Sequence, residues 1–267
     1  MTASQIAPSA DTTAAWLRQF VSAPDPWVRL ICFPHAGGAA GFFRPWRDHL
    51  PYGVELYGVQ YPGRIDRISE ACVEDMTLMT AAVTSAVKPL AGRPIALFGH
   101  SLGAVIAFEV ARRLCARRPA AVGRLFVSGR SAPGSRRPAD MHQASDDVLW
   151  SELARLGGTK SQISDDPEIK RVFLPALRSD YRLDENYEPS PGPPLSCPVT
   201  ALLGECDSEV SVAEAQPWGD FTSAGFSLRT FQGGHFYLTE QLPGVIAEIM
   251  ERLADSVPPR PPGWAGP

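Results

Sequence analysis

The chain has 267 residues, 44% of them hydrophobic, enough to bury the core of one elaborated domain spanning residues 1–267. A formal net charge of −4 offers no global attraction to nucleic acid or to an anionic membrane, whose binders carry a basic excess. The opening MTASQIAPSADTTAAW has no positive segment followed by an apolar run, and no stretch reaches the apolar length of a bilayer span, so neither a secretory signal nor a membrane anchor is expected.

Residues 1–11 are small and polar and are expected to be disordered. Short apolar, β-branched runs then alternate with longer helical patterns: Val28–Phe33, Glu55–Gln60, Ile95–Phe98, Leu125–Ser128, Val199–Leu203 and Leu228–Phe231. Strands that are hydrophobic almost throughout are covered on both faces. Their alternation with helices predicts a doubly wound α/β fold, a mostly parallel central sheet flanked by helices. The interval between the fourth and fifth runs far exceeds a simple crossover. It opens on a Gly/Pro/Arg-rich loop, offers helical patterns at Asp146–Leu156 and Pro167–Arg182, and ends in the proline-rich run Pro189–Pro194. Residues 131–194 therefore read as a helical lid inserted over the C-terminal edge of the sheet, where open α/β sheets bind ligands. The core is then 27–130 and 195–254. The tail 257–267, VPPRPPGWAGP, is too rich in proline to continue a helix and is expected to be disordered. The 5 cysteines, Cys32, Cys72, Cys115, Cys197 and Cys206, are odd in number and lack CxxC spacing, as expected of reduced core residues in a cytoplasmic protein.

The segment Ile95–Ala104 passes from a strand into a helix through Gly99-His100-Ser101-Leu102-Gly103. A GxSxG in that setting is a nucleophile elbow: glycines flank a serine on a strained turn, its Oγ at the sheet edge and a helix N-terminus behind it. Ser101 is the expected nucleophile of an α/β-hydrolase fold. Serine needs a histidine to take its proton, and the histidine needs a carboxylate to fix its tautomer. Of the 5 histidines, His235 follows the last strand on a Gly-Gly loop and is the expected base. His100 is expected to pack, His49 and His142 to lie on the surface, and His35 belongs to the loop after Val28–Phe33. Asp207, just past Val199–Leu203, fits the order Ser, Asp, His; Glu205 and Glu209 compete with it, and Asp207 could instead cap the following helix. An oxyanion hole would combine the N–H of Leu102 with that of Ala36 in Pro34-His35-Ala36-Gly37-Gly38. No metal and no cofactor are expected.

Several ordered motifs add a resemblance. FPHAGG with Phe43 and Trp46 downstream, QYPGR at Gln60–Arg64, FGHSLGA at Phe98–Ala104, LPALRSDYRLDENY at Leu174–Tyr187 and GGHFYL at Gly233–Leu238 together resemble the type II thioesterases that accompany polyketide and nonribosomal peptide synthases. The likeness covers residues 27–252. It implies hydrolysis of acyl groups from the phosphopantetheine arm of acyl or peptidyl carrier proteins, clearing stalled or mis-primed chains. It places nucleophile, acid and base on Ser101, Asp207 and His235 and the oxyanion donors on Leu102 and Ala36. Within the PGR loop, Ile65 stands where relatives often have a polar residue.

An acidic carrier partner would need a local basic surface on a chain that is itself acidic. Arg112, Arg113, Arg117 and Arg118 form one candidate, Arg64 with Arg67 another; arginines at a helix C-terminus also complement its dipole without any partner. The protein is expected to be a monomer. An acyltransferase reading of GHSLG lacks a strand-end acid before the histidine, which Asp207 supplies here. A carrier-binding chaperone would not need Ser101, Asp207 and His235.

Overall fold

The computed structural model describes residues 10–135, 139–155 and 166–256. Strands β1 (Leu17–Val21), β2 (Val28–Phe33), β3 (Val54–Val59), β4 (Ile95–His100), β5 (Val122–Ser128), β6 (Val199–Gly204) and β7 (Phe226–Phe231) form a 7-stranded sheet in the order β1-β3-β2-β4-β5-β6-β7. Every neighbouring pair is parallel except β1, which runs antiparallel to β3. The helices are α1 (Ala10–Trp16), α2 (Met76–Val87), α3 (Leu102–Cys115), α4 (Asp146–Arg155), α5 (Pro167–Glu185), α6 (Val212–Ala215), α7 (Tyr237–Glu240) and α8 (Leu242–Ser256).

The near-continuous hydrophobicity of the central strands has the expected cause. Successive side chains point to opposite faces, so Ile31 and Phe33 of β2 and Ile95 and Leu97 of β4 meet α2 and α3 through Met79, Val83, Ile106 and Val110. Val28, Leu30 and Cys32, with Ala96 and Phe98, meet Phe43, Trp46 and the α8 residues Val245, Ile246, Ile249 and Leu253.

β1 was not foreseen, and the core begins earlier than residue 27. Ala10 and Asp11, expected to be disordered, start α1; Trp16 and Leu17 are buried, and β1 pairs with β3 from Leu17↔Val59 onward. As an edge strand β1 has no continuous apolar run, and no glycine or proline separates it from α1. Its polar side chains are satisfied across the edge: Arg18 pairs with Asp66, and Gln19 donates to Glu55 and Tyr57. Residues 1–9 and the tail 257–267 lie outside the described residues.

The inserted stretch carries α4 and α5. The helix expected to end at Leu156 is described to Arg155, Leu156 lying outside the described residues, and α5 runs past Arg182 to Glu185. Asp166 caps α5 by accepting from the Glu168 N–H, with Pro167 at the first helical position. Leu149, Trp150 and Leu153 of α4 bury themselves against Leu174 and Leu177 of α5 in a small cluster of their own. Of the cysteines expected in the core, Cys32, Cys115 and Cys197 are buried, Cys72 is half-buried and Cys206 is exposed, and all are free thiols.

The sheet sets how closely α3 can approach. A Cβ on Gly103 would lie 2.1 Å from the Phe33 carbonyl oxygen, and one on Gly99 would lie 2.2 Å from the Gly103 oxygen. Gly103→Ala is expected to destabilise the fold by more than about 3 kcal/mol, since rigid backbone must move. Gly41→Ala, where an added Cβ meets nothing within 4 Å, is the matched control and should be neutral in urea unfolding.

Candidate active site

The site sits at the C-terminal edge of the parallel strands, where loops after β2, β4, β5, β6 and β7 converge. Ser101 follows β4 with φ 54° and ψ −120°, a conformation that costs a non-glycine residue about 1–3 kcal/mol and is held by the close packing around Gly99 and Gly103. The Ser101 N–H donates to the Ser128 carbonyl at 2.8 Å, fixing the elbow to the end of β5. Leu102 begins α3, so its N–H has no preceding turn to donate to.

His235 lies four residues past β7, and its buried ring is hydrogen-bonded through Nδ1 to Asp207 at 2.9 Å (Oδ2) and 3.1 Å (Oδ1). Asp207 follows β6, and its Oδ1 also accepts the Glu209 N–H at 2.8 Å, so the capping geometry and the histidine contact coexist. The competing acids do not share this position. Glu205 and Glu209 are exposed, and Glu209 is ion-paired with Arg155. Ser101, Ala36 and His235 line one cavity of about 90 Å³ together with Arg130, Tyr181, Asp184 and Glu209. The residues expected at the site therefore lie on one sheet edge, and the Nδ1 contact leaves His235 Nε2 as the ring nitrogen free to accept a proton.

The other histidines divide differently. His100 is fully buried, its Nδ1 3.0 Å from Ser128 Oγ, which lies 2.7 Å from the Tyr237 hydroxyl. His49 is exposed, whereas His142, expected at the surface, is half-buried against Glu185. His35 is buried edge-on between Phe42 and Phe236, each ring 4.7 Å away. Gly129, with φ +58°, leaves room beside both active-edge imidazoles; a Cβ there would lie 2.9 Å from His100 Cε1 and 3.1 Å from His235 Cε1.

The basic pair Arg64 and Arg67 is not a docking surface. Both are buried: Arg64 forms a two-pronged ion pair with Asp180 at 2.6 and 2.8 Å, and Arg67 pairs with Glu70 and stacks on Trp16. At the end of α3, Arg112 is engaged with Glu109 and the Pro191 carbonyl, while Arg117 and Arg118 are exposed. Sequence reading missed the second tie between α5 and the sheet edge, Arg130 to Asp184 at 2.8 and 2.9 Å. The signal was present in LRSDYRLDENY, where Asp180 and Asp184 stand one helical turn apart on one face. Among the described residues no helix is long and apolar enough to cross a membrane, and no group of three or more His, Cys, Asp or Glu could hold a metal ion.

Burial depresses the His35 pKa to about 3, with His235 and Arg64 adding to the effect, and burial likewise holds His100 well below the ordinary range, aided by His235 and His35. His35 Nδ1 and His100 Nε2 are buried without a hydrogen-bond partner among the described residues, and the contact of His100 with Ser128, which favours the charged ring, is outweighed by burial. Below about pH 6.5 the unfolded chain binds protons at these positions that the folded chain refuses, so stability falls as pH drops from there toward 3. Urea unfolding is expected to show up to about 1.4 kcal/mol lost per pH unit for each of these histidines. His35→Gln should lose its share of that slope, and an unchanged slope would contradict the assignment.

A family model described as a thioesterase domain matches residues 28–253. The chain is 44% identical over 243 residues to a probable cadicidin biosynthesis thioesterase of Streptomyces griseus, covering 91% of this chain and 67% of that protein. It is 43% identical over 240 residues to the thioesterase PikA5 of Streptomyces venezuelae, covering 89% of this chain and 85% of that protein. Among solved structures, the type II thioesterase BorB from the borrelidin biosynthetic cluster aligns with a TM-score of 0.83 at 42% identity, over 90% of this chain and 98% of that one. RedJ, the thioesterase of the prodiginine pathway in Streptomyces coelicolor, aligns with a TM-score of 0.78 at 34% identity, over 86% of this chain and 89% of that one. The matched span runs from β2 into α8 and contains every loop that builds the cavity; the chain belongs to the thioesterase domain family.

Proposed function

We propose that this protein is an editing thioesterase that releases acyl groups from the phosphopantetheine arm of acyl or peptidyl carrier proteins during polyketide or nonribosomal peptide biosynthesis. Ser101 is the nucleophile, His235 the general base and acid, and Asp207 the group that orients it. The observation that carries this reading is the His235–Asp207 hydrogen bond beside a cavity lined by Ser101, in a chain whose relatives are thioesterases of biosynthetic clusters.

Ser101 Oγ bonds to the thioester carbonyl carbon as its proton passes to His235 Nε2. The negative oxygen that results is held by the N–H groups of Leu102 and Ala36. Collapse of this adduct breaks the carbon–sulfur bond, and the pantetheine thiol departs with the proton from His235. Its pKa, about 8.5, makes it a much better leaving group than an amine. Water, deprotonated by the same nitrogen, then adds to the acyl-serine and releases the free acid while Ser101 recovers its proton. Asp207, accepting from His235 Nδ1, stabilises the imidazolium of each step.

The α4–α5 insertion serves as the cover of this site. Leu153 of α4 and Tyr181 and Asp184 of α5 line the cavity beneath it.

Carrier proteins loaded with acyl groups of increasing length and incubated with the enzyme should return to the free thiol form, read by intact mass. Ser101→Ala should leave every acyl group in place, and Asp207→Asn should lower kcat by about 10³-fold or more. Undiminished hydrolysis by Ser101→Ala would refute the assignment, and acyl transfer to an added thiol in preference to water would replace it with an acyltransferase.

A further inference from the structure

We infer that the buried pair Arg64–Asp180 positions the oxyanion-binding loop, so that the inserted helix α5, rather than the sheet alone, completes the catalytic machinery. The inference rests on the reading that the Ala36 N–H receives the oxyanion.

A backbone N–H points opposite to the carbonyl of the same peptide unit. The Ala36 N–H therefore takes its direction from the His35 carbonyl, and that carbonyl accepts the Gly38 N–H at 2.9 Å, closing a turn over residues 35–38. Two groups from outside the loop hold the turn closed. Asp180 of α5, only 1% exposed, accepts the Gly37 N–H at 2.7 Å, and Arg64 donates to the Gly38 carbonyl at 3.1 Å. Arg64 and Asp180 are themselves joined at 2.6 and 2.8 Å, which makes one unit of helix, loop and guanidinium. Packing enforces the same arrangement. Gly37 has φ +74°, and a Cβ on it would lie 2.9 Å from Phe173 and 3.0 Å from Leu177 of α5. Ala36 itself packs against the cluster that α4 and α5 share.

Anchoring α5 does not by itself require this pair. Arg130 and Asp184 tie the same face of the helix to the end of β5 one turn later. Buried ion pairs are also poor sources of net stability compared with apolar residues of similar volume. What Asp180 adds, and an apolar side chain could not, is an acceptor for the Gly37 amide.

The double variant Arg64→Met/Asp180→Leu removes both charges together and so leaves no unpaired buried ion. It is expected to stay folded by circular dichroism while kcat on a small acyl-pantetheine thioester falls by about 10²-fold with KM little changed. A boronic acid that forms a tetrahedral adduct on Ser101 should lose affinity in the same proportion, whereas an unreactive thioether analogue of the substrate should bind as it does to the wild type. Asp180→Asn, which keeps one acceptor for Gly37, should lie between the two and serves if the double variant does not fold. Boronate affinity and kcat within twofold of wild type in either folded variant would overturn the inference. Ser101→Ala separates the layers: if it abolishes hydrolysis and adduct formation while the Arg64 and Asp180 variants are unimpaired, only the positioning role fails. If Ser101→Ala itself hydrolyses normally, the reading beneath it fails too.

Discussion

The bare approach of α3 to β2 and β4 is the contact on which the site depends. With no side chain at Gly99 or Gly103, the helix start lies against the Phe33 carbonyl, and Ser101 is forced into a conformation it would not otherwise adopt. The other groups around the cavity come from different strands, whose register is set by the sheet: Phe33 opposite Gly99, His100 opposite Ser128, Gly204 opposite Phe231. An outward shift of α3 would carry the serine away from partners that cannot follow. The strain at one residue is thus sustained by hydrogen bonds spread across the whole sheet.

Charge is handled around the cavity in two ways. Arginines that enter the interior do so beside carboxylates, as Arg64 with Asp180 and Arg130 with Asp184, so that desolvation is offset by direct pairing. Histidines that enter without a carboxylate beside them are kept neutral by burial, as His35 and His100 are. The result is a rim with fixed polar groups and a floor without mobile charge, a setting in which backbone N–H groups act strongly on a developing anion.

The features legible in the sequence are those written in consecutive residues. GHSLG between a strand and a helix, and a Gly-Gly-His loop after the last strand, each carry their geometry locally, and the central strands announce themselves by unbroken apolar runs. β1 was hidden because Leu17–Val21 includes Arg18 and Gln19, whose partners Asp66, Glu55 and Tyr57 are supplied by folding. Arg64 was misread as a surface residue for the same reason: its partner Asp180 stands 116 positions away. The cavity walls were illegible too, because Arg130, Tyr181 and Asp184 face it only once the insertion has packed.

The insertion is attached by two unlike means. α5 is tied to the core through buried ion pairs, but α4 rests on α5 through Leu149, Trp150 and Leu153, with ion pairs such as Arg155–Glu209 and Arg178–Asp146 reaching from its ends into partly exposed positions. Exposed pairs of that kind contribute little. Apolar association weakens on cooling, whereas attraction between buried charges does not share that dependence. Temperature, more than ionic strength, therefore sets how firmly α4 is seated, and with it the placement of Leu153 in the cavity wall.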